Sequence, residues 1–419
     1  MLDIKFIREN KDIVANGAKK KCINFDVEEL LKVDDERLEV MKSVEEKRSK
    51  QNEVSKRIPQ AGDEERQQLV SEMTSLKNDL QSEEEKLKEI TQKWQLLMLQ
   101  VPNIPDMSVP DGKSDEENIE TKVVGEIPKF DFEPKNHMEL MEAHDMVDFE
   151  KGTRIAGFRG YILKKDGALL QNAVINFVMD KMVKKDFTPM IVPSLVRRET
   201  LLGTGYLPQG EEDLYKTQDD DFLSGTAEVP TMSYHAGDIF KKEDLPIKFI
   251  SFSPCFRREA GSHGKDTKGL YRVHEFYKAE QVILCEASHE ESVKHHEELT
   301  QNAEEIMQDL GIPYHVVTVC GGDLGLGQVK KYDIEAWIPS QNKYGETHSS
   351  SYFHDFQTRR LNIKYQDGEK KRFVHSLNNT AIAAPRILIP LVESNQTVDG
   401  KIKIPEVLRP YMGGREFIG

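Results

Sequence analysis

Residues 256 to 276 read FRREAGSHGKDTKGLYRVHEF, with three arginines and two lysines set among three glycines. Arg257 closes one strand-forming run, KFISFSPCFRRE, and Arg272 opens the next, LYRVHEFYKAEQVIL. Between them AGSHGKDTKG has the Gly, Asp and Ser content of a loop longer than a tight hairpin turn. Two arginines at the base of such a loop can converge on one anion, because the planar guanidinium grips phosphate or carboxylate bidentately. Phe276, on the return strand, can stack on an aromatic base. Taken alone, the segment is better explained as a hairpin with a solvated basic loop.

No other stretch offers a ready phosphate cradle. The pattern G-x-x-x-x-G-K-[ST] is absent, and the glycine-dense GGDLGLG at 321 to 327 leads into a further strand-like run, so it reads as a turn. If a nucleotide binds, arginines must neutralise it. The cysteines (Cys22, Cys255, Cys285, Cys320) are far apart and lack zinc-ligand spacing, so reduced structural thiols and no structural zinc are expected. His295 and His296 lie in a Glu- and Lys-rich helical stretch and read as a solvated helix face.

The elements that would position these residues follow from periodicity. Leu69, Met73, Leu76, Leu80, Glu83, Leu87, Ile90, Trp94 and Leu97 keep spacings of four and three, the seam of a supercoiled helix. A shorter seam, Val27, Leu31, Leu38 and Met41, precedes it, and PQAGDEE at 59 to 65 breaks the helix between them. Two long antiparallel helices result, forming either a dimerisation coiled coil or an arm whose basic end (Lys47, Arg48, Lys50, Lys56, Arg57) meets an anion. VPNIPDMSVPDGKSDEEN (101 to 118) reads as a linker. Beyond it, helices near 168–185, 288–310 and 381–394 mix with strand-like runs that arrive in adjacent pairs. That pattern predicts an α+β body, an antiparallel sheet flanked by helices.

At this point a resemblance covers nearly the whole chain. FRREAGSHGKDTKGLYRVHEF resembles motif 2 of class II aminoacyl-tRNA synthetases in the form used by seryl-tRNA synthetases. DFTPMIVPSLV resembles the dimer-forming motif 1, SGTAEVP the serine-pocket signature, and YGETHSSSYFHDFQTRRLNI the metal- and ATP-binding strand. HSLNNTAIAAPRILIPLVESNQ is similar to motif 3, and LRPYMGG to the family's usual ending. The resemblance implies an N-terminal tRNA-binding arm over 1–105 and a class II catalytic domain over 106–419. Motif 1 would lie near 186–196, motif 2 at 256–280 and motif 3 at 375–394.

It also implies a reaction: L-serine and ATP give seryl-adenylate, and serine passes to the 3′-terminal adenosine of tRNA(Ser), with tRNA(Sec) a second candidate acceptor. Arg257 matches the arginine bridging carboxylate and α-phosphate, and Arg386 the one at the γ-phosphate. Arg258, Glu259, Arg272, Val273, Phe276, Glu346, Thr347, His348 and Ser349 match the other ATP-binding positions, with Glu346 and Ser349 holding Mg²⁺. Thr226, Ala227, Glu228, Arg257, Glu280, Asn378 and Thr380 match the serine site. His263, Lys265 and Lys268 of the motif 2 loop, with the basic residues of the arm, would contact tRNA. Three positions depart from the family's commoner residues: Thr380 for serine, Tyr352 for asparagine, and Pro385, which would sit in the first turn of the motif 3 helix. A homodimer is expected.

Composition fits this reading. The chain has 419 residues, 37% hydrophobic and 31% charged, and a formal net charge of −15, which disfavours general coating of nucleic acid but permits local basic patches. No apolar run approaches the roughly 20 residues of a membrane span, and the start lacks a signal-peptide core, so a cytoplasmic protein with no membrane partner is expected. The alternative is a paralogue that activates a small amino acid for a carrier protein, against which the arm argues. A catalytically dead RNA-binding relative would be expected to lose Arg257, Glu280, Glu346 or Arg386, and all four are present.

Overall fold

The computed structural model describes residues 1–261 and 267–419, so His263 and Lys265 lie outside the described residues. The chain divides into two compact units, one of Leu2–Lys19 with Ile23–Pro102, the other of Met1, Lys20–Cys22 and Asn103–Gly419. Among the described residues no helix is long and apolar enough to cross a membrane.

The first unit is built on two long helices, α1 (Val27–Arg57) and α2 (Asp63–Gln100). Asp26 caps α1 by accepting from the Glu29 N–H at 3.0 Å. Pro59 and Gly62 lie in the break between the helices, as their backbone restrictions require. The α2 seam is the expected one: Leu69, Leu76, Leu80 and Ile90 are buried, with Leu87, Trp94 and Leu97 packed around them. The α1 seam begins as expected, with Val27 and Leu31 buried, and then departs: Leu38 is 40% exposed, and the buried line runs through Val33, Val40, Val44 and Val54. That line continues through Lys47, whose ammonium meets Glu83 at 2.6 Å. The single polar seam position of α2 therefore faces a polar seam position of α1, which fixes the register. Near the turn, Arg48, Lys50 and Arg57 pair with Glu84, Glu72 and Glu65 at 2.6, 3.0 and 3.2 Å. These exposed pairs are each worth about 0–1 kcal/mol, so a polyanion can exchange them at small cost.

The second unit centres on an eight-stranded sheet. Its strands are β1 (Ile119–Val124), β2 (Thr188–Ile191), β3 (Ile247–Phe256), β4 (Glu275–Cys285), β5 (Tyr314–Thr318), β6 (Lys330–Ile338), β7 (Lys343–His354) and β8 (His375–Ala384). They lie in the order β1-β5-β6-β7-β8-β4-β3-β2. Every pairing is antiparallel except that of β2 with β3. Helices α3 (Asp166–Val183) and α4 (His289–Asp309) cover one face, closing a core that includes Val174, Val178, Ala279, Ile283, Ile306 and Ala381. Strand alternation turns Phe276, Lys278 and Glu280 to the opposite face, where the cleft lies.

Several expectations are corrected. Residues 381–384 finish β8, and the helix α5 spans only Leu388–Ser394; buried on both faces, AIAA lacks the alternation that marks a half-exposed strand. Pro385 accordingly lies in the turn ahead of α5, one step before Arg386. His295 and His296 are buried, not solvated. His296 stacks on Tyr332 (4.6 Å between centroids, 7° between planes) and bonds the Ser350 carbonyl at 2.9 Å; burial lowers its pKa to about 4. Tyr352 shares that side of β7, buried against His296 and donating to Asp106 Oδ2 at 3.0 Å, so this departure from the family pattern points away from the cleft. The 101–118 run is no free tether: Asn103 is buried and donates to the carbonyls of Gly327 and Phe353 at 2.9 and 2.7 Å.

Candidate active site

The cleft is assembled from β4, β7 and β8 and from the ends of β3 and β4. Backbone pairing continues past β3, where the Arg257 N–H donates to the His274 carbonyl at 3.0 Å, and this holds Arg257 beside the return strand. Its guanidinium lies 5.3 Å from the Phe276 ring centroid, and Nε donates to the Gly225 carbonyl at 3.3 Å. Two cavities meet at this side chain. One is lined by Glu259, Val273, Phe276, Thr347, Pro385 and Arg386; the other, of about 510 Å³, includes Tyr206, Glu228, Ser349 and Asn378. Arg257, Lys278, Glu346 and Thr380 line both.

In the first cavity Arg272 pairs with Glu259 at 2.7 Å. Glu259 has φ +57°, a left-handed conformation unusual for a non-glycine residue, and such local strain is typical of functional turns. Arg386 lies over the Tyr271 ring (4.5 Å) and donates to the Tyr271 and Glu346 carbonyls at 3.0 and 3.1 Å. The basic and acidic groups tune each other here. Desolvation pushes the Glu346 carboxyl up although its side chain is 49% exposed to the cleft, but Arg386, Lys331, Arg257 and Arg272 outweigh it and hold the pKa below its ordinary value. A bulge where β7 pairs with β6, between Glu346 and His348, inserts one residue. Glu346 and Ser349, three apart in sequence, therefore share the cleft face. Behind them Asp333 is buried beside Lys331 (3.1 Å) with Oδ1 lacking a partner among the described residues, and burial raises its pKa to about 7.

In the second cavity Lys278 and Glu280 pair at 2.6 Å, and Thr380 Oγ1 donates to Glu280 Oε2 at 3.3 Å. Glu228 accepts from Tyr206 Oη at 2.8 Å and Gln357 Nε2 at 2.6 Å, and Ser376 Oγ donates in turn to Gln357 Oε1 at 2.8 Å. Burial, and then the charge of Glu280, raises the Glu228 pKa to about 7 in spite of those two donors. Asn378 is buried, and its Nδ2 has no partner among the described residues. A buried amide donor left unpaired at a cavity wall suits a ligand oxygen.

Not every residue singled out in the sequence reaches the cleft. Thr226 Oγ1 accepts from the Glu228 N–H at 3.2 Å and Ala227 is buried; both shape the turn that presents Glu228. His348 faces the covered side and bonds the Ala381 carbonyl at 3.1 Å, so its side chain cannot meet a nucleotide. The Arg258 side chain is exposed, and Lys268 is exposed beside the loop. Lys278, Tyr206, Gln357 and Asp333 are additions. Lys278 was legible from the two-residue period linking Phe276 to Glu280; the others come from distant segments with no local signal.

The arrangement, an antiparallel sheet bearing arginines where two cavities join, the second of them lined by paired carboxylates and amides, is that of a class II aminoacyl-tRNA synthetase. Residues 215–395 match the tRNA synthetase class II core domain (G, H, P, S and T), and residues 1–105 the seryl-tRNA synthetase N-terminal domain. The serine–tRNA ligase of Deinococcus radiodurans is 46% identical over 421 residues, covering 100% of this chain and 99% of that protein. That of Clostridium tetani is 42% identical, covering 100% of both. The seryl-tRNA synthetase of Pyrococcus horikoshii complexed with ATP superposes with a TM-score of 0.89 at 37% identity, covering 100% of this chain and 99% of that one. The cytoplasmic serine–tRNA ligase of Naegleria fowleri in complex with AMP gives 0.87 at 33%, covering 100% and 98%. The chain belongs to the seryl-tRNA synthetase family.

Proposed function

We propose that Arg257, at the meeting of the two cavities, is the catalytic centre of a two-step serylation. Family membership gives the activity, ATP-dependent ligation of L-serine to tRNA(Ser) through seryl-adenylate. ATP takes the cavity beside Phe276, with adenine between that ring and Arg386, Val273 at its edge and Glu259 toward its amino group. Serine takes the inner end of the other. Its carboxylate and the α-phosphate are both anions, and Arg257 lets them approach; with no covalent enzyme intermediate, positioning and charge neutralisation carry the rate. Arg386 and Arg272 hold the triphosphate. Glu346 and Ser349 offer the hard oxygens that Mg²⁺ prefers, both on the cleft face of β7. When bound, the ion would neutralise phosphate charge.

Glu280 receives the serine ammonium and Asn378, with Thr380, its hydroxyl. Replacing Asn378 by alanine removes the donor that makes a missing ligand hydroxyl costly. Discrimination of serine over alanine in pyrophosphate exchange is then expected to fall by about tenfold or more. Unchanged discrimination would remove Asn378 from this role. Glu228 gives a pH prediction. Its folded pKa, about 7, lies above the unfolded value, so it adds stability below the ordinary glutamate range that is lost as pH rises through about 7. For a cationic ligand the sign reverses: ionised Glu228 attracts the serine ammonium. The KM for serine is expected to rise as pH falls from about 7.5 to 6, and Glu228→Gln should flatten that dependence.

The division into an arm over 1–105 and a catalytic domain over 106–419, a cytoplasmic setting and a homodimer complete the proposal. Dimerisation is supported by apolar side chains left exposed, Ile191 (86%) in motif 1 and, elsewhere in the second unit, Ile155 (78%) and Phe158 (55%). Exposed Lys56 and Lys268, with the exchangeable pairs of Arg48, Lys50 and Arg57, supply tRNA contacts. Charging of a tRNA(Ser) transcript with labelled serine tests the function, a tRNA(Sec) transcript being the second arm. Serine activation without transfer to tRNA would instead favour the carrier-protein reading.

A further inference from the structure

The first cavity is walled on one side by Leu270 and Tyr271, on the return from the basic loop. What fixes them is remote in sequence. The Leu270 N–H donates to His137 Nε2 at 3.3 Å, and both residues are buried. A backbone N–H can only donate, so Nε2 is the bare, accepting nitrogen and the ring proton sits on Nδ1. Nδ1 then donates to Glu393 Oε1 at 3.0 Å, and the His137 N–H donates to the same oxygen at 2.8 Å. One tautomer satisfies every contact of the ring.

Glu393 is wholly buried, and its other oxygen accepts from the Ser340 N–H at 3.0 Å. Burial works against its charge, but the donors of His137 and Ser340 outweigh it and hold the pKa below the ordinary value. The carboxylate is therefore a fixed acceptor that orients the imidazole. Asn136 and Glu139 form a capping box that sets His137 at the first position of the short helix His137–Ala143. At Gly269, φ is +83° and an added Cβ would lie 2.5 Å from His137 Nε2, so only glycine lets the chain pass this close to the ring.

The contacts close a circuit around the first cavity. Arg386 precedes α5 and Glu393 lies in its last turn. Arg386 Nε donates to the Tyr271 carbonyl at 3.0 Å and its guanidinium lies over the Tyr271 ring, while Glu393 reaches Leu270 through His137. Tyr271 Oη also donates to the Glu346 carbonyl at 3.3 Å. Two adjacent residues of the return are thus held from both ends of one helix. None of His137, Gly269, Leu270, Tyr271 and Glu393 lines the second cavity.

We propose that His137, oriented by Glu393, is a positioning residue for ATP, holding Leu270 and Tyr271 where they wall the nucleotide and brace Arg386. This rests on the serylation reading above, which puts ATP in the first cavity. The consequence is an asymmetry: loss of the bond loosens the nucleotide side and leaves serine binding alone.

The test uses the full chain. His137→Leu keeps much of the ring's bulk and removes both nitrogens. The dissociation constant for ATP with Mg²⁺, measured by calorimetry without serine, is expected to rise about ten- to a hundred-fold, the effect of losing a buried hydrogen bond and misplacing the groups it holds. The KM for serine in pyrophosphate exchange at saturating ATP is expected to stay within about twofold. Hydrogen exchange at the Leu270 amide should quicken in the variant without any ligand. His137→Gln, whose side-chain oxygen can take the Leu270 N–H, should recover part of the ATP affinity. His144→Leu is the control: His144 ends the same helix but bonds the Gly400 carbonyl at 2.7 Å, outside both cavities, and its ATP affinity should match wild type. Gly269→Ala, which wedges a methyl between the partners, should reproduce the split and decides alone if His137→Leu does not fold. Wild-type ATP affinity in either folded variant, or KM values for serine and ATP rising in step, would overturn the proposal. So would His137→Gln binding ATP no better than His137→Leu, which would assign the effect to packing. No ATP binding by the wild type would instead remove the reading of the cavity itself.

Discussion

Arg257→Ala is expected to lose serine-dependent pyrophosphate exchange by at least about a thousand-fold, with little change in thermal stability. The size follows from position. Removing a single donor to developing charge typically costs about a hundred- to a thousand-fold, and Arg257 stands where two anions must meet. The stability expectation follows from its sparse protein contacts, a 3.3 Å bond to the Gly225 carbonyl and the Phe276 ring at 5.3 Å. Arg257→Lys separates charge from geometry: a point charge without the planar fork should recover only part of the rate. Exchange at the wild-type rate in the alanine variant would move the reaction centre elsewhere.

Shortening the helical pair is the second large effect. Helices α1 and α2 have 31 and 38 residues and so extend about 45 and 55 Å. Replacing residues 35–90 by a short glycine-rich turn keeps Val33 in the cluster with Trp94 and Leu97 and leaves the buried Val27, Leu30 and Leu31 in place, so the base of the pair retains its packing. Exchange is expected to stay within about twofold, since the replaced residues contribute none of the cleft. Charging of tRNA(Ser) should fall by at least about a thousand-fold, because the basic contacts that neutralise tRNA phosphates are removed together. Survival of charging would deny the arm its role in tRNA binding.

Much of this was legible in the sequence where a local rule governs. The α2 seam is read directly from its spacing, and the strands around the basic loop from their β-branched and aromatic content, so Phe276, Glu280 and Arg257 could be placed before any coordinates. What escaped depends on partners far away in the chain. The α1 register is decided by Lys47 meeting Glu83, not by which leucines α1 carries. His296 is buried because its helix face meets β6 and β7, which a Glu-rich neighbourhood conceals. Central strands such as 381–384 are apolar on both faces and lose their two-residue signature. Gln357, Tyr206 and His137 carry no motif at all: a glutamine in a short helix, a loop tyrosine and a histidine opening another helix acquire meaning only from the carboxylates they meet.

The central claim, that the two cavities joined at Arg257 activate serine with ATP, is tested most directly by pyrophosphate exchange. Serine, threonine, alanine, glycine and cysteine would be supplied in turn, with and without tRNA(Ser). Exchange that depends on serine, exceeds that with every other amino acid and proceeds without tRNA is the predicted result. Well-folded protein that shows no serine-dependent exchange, or that prefers another of these amino acids, would contradict the account.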